Sequence, residues 1–232
     1  MKKNQPIIHS HATTYHDGAV AILKSDGSII SLAAERVDRV KHSGNSRAAY
    51  DYLARRFQKE GFGGKTDYFV DPFDKLETTG HHLYHASSVF FSSGFKEAAI
   101  LVVDGQGPEL EKKVSTSIWK GSREKLELVE IPYSNRGDFI PQSIGHFYTA
   151  VGAMAGMQNL HEEGKTMGLS AYGEESEFLD FFRKYVQSEK DGSFFIDPRL
   201  ILAAFGNTFG SRFYNWKPQP KRIQEVWDEF IS

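Results

Sequence analysis

The stretch Ala19-Val20-Ala21-Ile22-Leu23-Lys24-Ser25-Asp26-Gly27-Ser28-Ile29-Ile30-Ser31-Leu32-Ala33-Ala34 decides the fold. It reads as two apolar strands, residues 19–24 and 28–34, closed by the tight turn Ser25-Asp26-Gly27. Asp-Gly is a hairpin signal because both residues tolerate the positive φ that such turns need. A third run, Ile7 to Ala12, precedes them, so the chain opens with a three-stranded antiparallel meander. Downstream, Arg47 to Glu60 carries Ala, Tyr, Leu and Phe at helical spacing and stops at Gly61-Phe62-Gly63-Gly64, as a helix with a glycine end does. A short strand at Asp67 to Val70, a helix over Thr79 to Ser92 and a continuous apolar strand at Ala98 to Val103 follow. The order strand, strand, strand, helix, strand, helix, strand predicts an α/β fold with a mixed sheet.

Beyond it, Val114 to Trp119 and Leu126 to Pro132 predict a hairpin, and Gln142 to Met157 a helix whose Gly145, Ala150, Gly152 and Ala153 permit close packing. Residues 158–173 read as a glycine-rich, charged loop. An amphipathic helix over Glu175 to Gln187, a short strand at Phe194 to Ile196 and helices at Pro198 to Phe205 and Pro220 to Phe230 complete the reading. Residues 1–135 are expected to form the first lobe's core and 136–232 to continue the same domain, with a soft boundary at Asn135 to Gln142.

Composition narrows the functional classes. A length of 232 residues can bury a proper core, and a net charge of -2 with 25% charged residues argues against a broad basic face for nucleic acid or anionic membrane. The absence of cysteine removes disulfides and thiolate sites, leaving any metal to His, Asp, Glu and water. No run of ~18 apolar residues exists to span a membrane. Met1-Lys2-Lys3-Asn4-Gln5-Pro6 is polar and lacks a signal-peptide core, so a cytoplasmic location is the expectation.

Four constellations can carry chemistry. In Tyr15-His16-Asp17-Gly18, the glycine lets backbone amides approach a phosphate and His16 can donate to an oxyanion or shuttle a proton; an ordinary Asp-Gly turn looks the same. Glu35-Arg36-Val37-Asp38-Arg39-Val40-Lys41-His42 leaves the third strand and reads, taken alone, as a solvated charge run. His81 and His85 stand at i and i+4 on one helix face, and Asp104 ends the next strand within Asp104-Gly105-Gln106-Gly107. That pattern suits a metal or phosphate-handling centre with open positions, whereas His82 points elsewhere, to cap, pack or hydrogen-bond. Finally, Glu162-Glu163-Gly164-Lys165-Thr166-Met167-Gly168 contains Gly-Lys-Thr but lacks the upstream glycine of a P-loop, since Asn159 stands there. What remains is Glu163 and Lys165, held by glycines including Gly168, able to contact a phosphate or an acceptor hydroxyl, or a plain loop.

Together these stretches resemble the amino-terminal part of the O-carbamoyltransferase family that includes the nodulation-factor, cephamycin and tobramycin enzymes. The matching residues are His16-Asp17-Gly18, Ala34-Glu35-Arg36 with Arg39 and Lys41-His42, His81-His82-Leu83-Tyr84-His85-Ala86-Ser87-Ser88, Ala98 to Gly107, Ser143-Ile144-Gly145 and Lys165 to Gly173. The resemblance implies an actin and sugar-kinase-like (RNase H-like) lobe. It implies a divalent ion, iron favoured and zinc or manganese also suited, held by His81, His85 and Asp104. His16 would stand beside the carbamoyl group, with Lys41 and Lys165 near substrate or phosphate; the glycines and Asp17 would line the nucleotide. The reaction implied is attack of an acceptor hydroxyl on carbamoyl-adenylate, made from carbamoyl phosphate and ATP, with release of AMP. Family enzymes are longer, with a second lobe and a separate adenylate-forming domain, so the remainder of the same polypeptide is an expected partner. An actin-fold small-molecule kinase and a catalytically silent nucleotide- or metal-binding module are the other classes compatible with the residues.

Overall fold

The computed structural model describes residues 8–12, 17–24, 26–57, 68–70, 80–135, 142–157, 162–174, 178–208, 225 and 228. Contact density divides the chain into two units, Met1–Leu76 and Glu77–Ser232. The boundary expected near residues 135–142 therefore falls inside the second unit. Together the units make a mixed α/β protein.

The first unit holds β1 (Ile8–Ala12), β2 (Ala19–Leu23), β3 (Ile29–Ala33) and β4 (Tyr68–Val70) in the order β3-β2-β1-β4. β1, β2 and β3 are antiparallel neighbours and β4 lies parallel to β1, the mixed sheet expected from the sequence. The turn after β2 is closed by Asp26, whose carboxylate accepts from the Ser28 amide at 2.8 Å, while Gly27 takes φ +87°. Period-two alternation turns Val20 and Ile22 inward. They pack against Ala49 and Leu53 of α2 (Ser46–Phe57), the helix read from its apolar spacing. Between β3 and α2 lies the short α1 (Glu35–Asp38).

The second unit opens with α3 (His81–Ser93) and a second antiparallel meander, β5 (Glu97–Glu109), β6 (Lys112–Ser122) and β7 (Lys125–Asn135). The hairpin expected at 114–132 is present, but β5 is longer than the expected strand at Ala98 to Val103. It continues six residues past Val103 because pairing with β6 resumes at Gly107 after a register break. Asp104 thus sits within a strand at a β-bulge, not at a strand end. Ala86 and Phe90 of α3 pack on Ile100, Val102 and Trp119. Gly121 lets the Phe90 ring lie on β6, since a Cβ there would stand 2.5 Å from it.

A separate core in this unit joins α4 (Ile144–Met154), α6 (Phe178–Tyr185), α7 (Pro198–Thr208) and the β8 (Val186–Ser188)–β9 (Phe194–Ile196) hairpin around Leu200, Ile201 and Ile196. Two expectations are corrected here. The helix predicted over 175–187 ends at Tyr185, where the chain turns into β8. The segment expected as a glycine-rich loop contains α5 (Glu163–Ser170). Its glycines disfavour a helix by about 1 kcal/mol each. Docking on α4 outweighs them: the Thr149 hydroxyl donates to Glu163 at 2.6 Å and Thr166 lies against Gly152, where a Cβ would come within 2.7 Å. The helix expected at 220–230 lies outside the described residues apart from helical 225 and 228.

Truncating the phenyl ring that α3 packs on the meander tests this packing. Phe90→Ala is expected to lower unfolding free energy by about 3–5 kcal/mol, read by urea denaturation of the chain.

Candidate functional site

Helix α3 begins at Gly80, in the left-handed region at φ 84°, and places His81 and His85 one above the other on one face. The bulge in β5 turns Asp104 toward them. His81 Nε2 lies 2.7 Å from Asp104 Oδ2 and 3.1 Å from His85 Nε2, and His85 Nε2 lies 4.0 Å from the same carboxylate oxygen. A single proton on His81 Nε2 cannot serve both contacts. A divalent cation with bonds of about 2.0–2.2 Å spaces its ligands about 3–3.4 Å apart; the two imidazole nitrogens have that spacing, the carboxylate oxygen sits closer to one and farther from the other, and all three atoms lie within 4.8 Å of one another, near enough to be offered to one ion. The side chains remain partly open, at 25%, 53% and 33% exposure, which leaves room for further ligands.

Electrostatics favour the same use. Burial would raise the Asp104 carboxyl, but the His81 hydrogen bond and charge, the Gly105 amide and His85 outweigh it and hold it down at about 2. Burial and the like charge of His81 lower the His85 imidazole, against an opposing pull from Asp104. An ionised carboxylate and a neutral imidazole are the forms that donate lone pairs.

His82 does something different from its neighbours. It is fully buried, its Nε2–H donates to the Val114 carbonyl at 3.0 Å, and its Nδ1 accepts from the Ser117 hydroxyl at 2.7 Å. Ser117 in turn accepts from Trp119 Nε1–H at 2.7 Å. The chain of hydrogen bonds fixes one tautomer. Desolvation, first, and the His81 charge push His82 down to about 4 against weaker raising effects of Asp104 and the Val114 carbonyl.

The two glycines flanking the bulge serve close packing. Gly107 lies under the His81 ring, where a Cβ would stand 2.0 Å from Cδ2, and Gly105 lies beneath His146. Gly145 brings α4 onto the Asp104–Gly105 backbone, since a Cβ there would be 2.5 Å from the Gly105 nitrogen. Ser143 caps α4 by accepting from the His146 amide at 3.0 Å, and its hydroxyl lies 2.7 Å from the Gly105 carbonyl oxygen and 3.0 Å from that of Asp104. No local pattern marks Ser143 or the Ser117–Trp119 pair as partners of the site. Only their tertiary neighbours give them that role.

The remaining candidates are distributed as follows. Glu163 and Lys165 lie on α5, where Lys165 pairs with Glu162 and Gly168 is exposed. In the first unit, Asp17 takes φ 53° and its carboxylate contacts His42 Nδ1 at 3.0 Å; the His42 amide donates to Glu35 at 3.2 Å. Gly18 is buried against Gly44, whose carbonyl oxygen a Cβ would meet at 2.7 Å, so glycine is required there by packing. Lys41 is exposed, and His16 lies outside the described residues.

Residues 69–199, more than half of the chain, match the family model described as carbamoyltransferase N-terminus. The chain belongs to that family. It is 34% identical over 138 residues to an uncharacterized protein of Synechocystis sp., covering 59% of this chain and 20% of that protein. An uncharacterized protein of Methanocaldococcus jannaschii is 26% identical over 172 residues, covering 68% of this chain and 32% of its own length. The nodulation protein NolNO of Sinorhizobium fredii is 26% identical over 244 aligned positions, covering 84% of this chain and 33% of that protein. The chain therefore spans between a fifth and a third of these relatives.

The buried imidazole predicts an acid limb in stability. A folded-state value of about 4 against 6.5 means that the unfolded chain binds the proton first, so the His82 contribution is complete above pH 6.5 and is lost as the pH falls toward 4. Between pH 7 and pH 4.5 this is worth about 2–3 kcal/mol, and a His82→Leu chain, weaker at pH 7, should show a correspondingly shallower decline in urea titrations.

Proposed function

We propose that this chain is the amino-terminal part of an O-carbamoyltransferase, in which a hydroxyl attacks carbamoyl-adenylate and AMP leaves, with a divalent ion held by His81, His85 and Asp104. The observation that carries the reading is the convergence of three lone-pair donors at 2.7, 3.1 and 4.0 Å, on a chain of the carbamoyltransferase family. Iron is the favoured ion, with zinc and manganese also suited to two imidazoles and one carboxylate. When bound, it would supply positive charge for the phosphate of the leaving nucleotide.

The chain's own residues support this assignment by what they hold in place. Asp104 is kept ionised, the His85 imidazole is shifted toward its neutral form by burial and the His81 charge, and Gly107 leaves the space that the His81 ring fills. His16 and Lys41 are assigned to the carbamoyl group and the phosphate from the family motif, with Asp17 and Lys165 as nucleotide contacts; the Gly18 amide already donates to the Ser43 carbonyl at 2.7 Å. An actin-like lobe with its core in residues 1–135 is the architecture proposed; the β3-β2-β1-β4 order of the first unit supports it. The cytoplasm is the proposed location; among the described residues, no helix is long and apolar enough to cross a membrane.

Metal uptake by the purified chain decides the site. Anaerobic addition of Fe²⁺, Zn²⁺ or Mn²⁺ should give one bound ion per chain, lost in His81→Ala, His85→Ala and Asp104→Ala. Uptake unchanged in the three variants would remove the assignment. Gly107→Ala should weaken uptake while leaving far-UV circular dichroism near wild type, because the added methyl must displace the His81 ring. In the complete polypeptide, transfer of labelled carbamoyl rather than labelled γ-phosphate to a hydroxyl acceptor separates carbamoyl transfer from a kinase.

A further inference from the structure

Glu109 is a carboxylate that the site as described does not use, yet it is only 3% exposed. Its Oε2 accepts from the backbone amides of His82 at 3.0 Å and Leu83 at 3.2 Å. These are first-turn amides of α3, which have no intrahelical partner, and the residue before the helix, Gly80, has no side chain to cap them. The last residue of β5 therefore caps α3 from across the packing interface. A carboxylate suits the position twice over: hydrogen bonds to an ionised acceptor are the stronger kind, and the helix N-terminus carries positive partial charge.

We infer that Glu109 is a positioning residue for the His81–His85–Asp104 centre. One strand supplies both the carboxylate of the triad and, five residues on, the group that anchors the helix bearing the two histidines. Glu109 grips the amide next to His81 and so sets where the helix begins relative to Asp104. Gly107, between the two acidic residues, receives the His81 ring. The His82 side chain resists rotation of the helix, and Glu109 holds its N-terminal end against β5. This inference rests on the metal reading above.

The test uses Co²⁺ as probe on the 232-residue chain, with affinity from titration and ligand geometry from the visible absorption spectrum. Glu109→Ala should bind Co²⁺ about ten- to a hundred-fold more weakly, with an altered spectrum, as is usual when a group orienting a ligand is removed. Glu109→Gln, whose amide oxygen still accepts, should stay within about threefold, and Glu109→Asp, too short to reach, should fall between the two. Hydrogen exchange at the His82 and Leu83 amides should speed up in Glu109→Ala and Glu109→Asp. Phe90→Leu, destabilised in the same core, should keep wild-type Co²⁺ affinity. Wild-type affinity in both Glu109→Ala and Glu109→Asp, or equal losses in the Glu109 variants and Phe90→Leu, would overturn the role of Glu109 alone. A wild-type chain that takes up no Co²⁺ would overturn the metal reading, and the positioning role with it.

Discussion

The seating of α3 on the β5–β6–β7 sheet registers every group of the candidate centre, and the His82 imidazole is the strongest constraint on that seating. Ala86 and Phe90 supply apolar contact, which is non-directional and tolerates small rotations of a helix. The His82 hydrogen bonds to Val114 and Ser117 exist at one rotation only. Leaving those buried groups unpaired would cost about 1–3 kcal/mol each. Successive residues lie about 100° apart around a helix, so turning His82 to the sheet carries His81 and His85 to the flank where Asp104 stands. Directional bonding in the core thus aims the side chains at the surface.

The second device is the bulge in β5. A regular strand would alternate faces from Val102 through Glu109 and keep the β6 register throughout. The break between Val103 and Gly107 frees the backbone at Asp104, and the Gly105 amide folds back on that residue's carboxylate at 2.7 Å. Small residues then let the neighbours close in: Gly107 under His81, Gly145 on the Asp104–Gly105 backbone, with the Ser143 hydroxyl beside the local carbonyls. A glycine that makes room for a neighbouring ring, as Gly107 does for His81, and one that cradles a phosphate are different devices. The two properties look identical in a sequence because both require only the absence of a Cβ.

Legibility differed between elements for physical reasons. β2, β3 and α2 were readable because alternation at Val20 and Ile22, an Asp-Gly turn and helical spacing at Ala49 and Leu53 are local signals. α3 was readable from its apolar spacing and its i, i+4 histidines. α5 was not, since Gly164 and Gly168 argue against a helix and only contacts with Thr149 and Gly152 of α4 reverse the preference. β5 was cut short because Asp104-Gly105-Gln106-Gly107 breaks the apolar run, while the β6 ladder resumes beyond it. Glu109 reads as the polar edge of a hairpin turn, and nothing local reveals that two helix amides wait for its carboxylate.

What the sequence determined by itself is the chemistry available: no thiolates, two histidines on one helix face, and a nearby aspartate beside small residues. Residue type and short-range period suffice for that, because a helix or strand imposes them over a few residues. What only the tertiary structure decided is which groups meet. His81 and Asp104 are 23 positions apart, and His82 and Ser117 are 35 apart. Their contacts depend on a bulge, on sheet register and on a helix anchored at its start, all properties of pairing between distant segments that no local periodicity encodes.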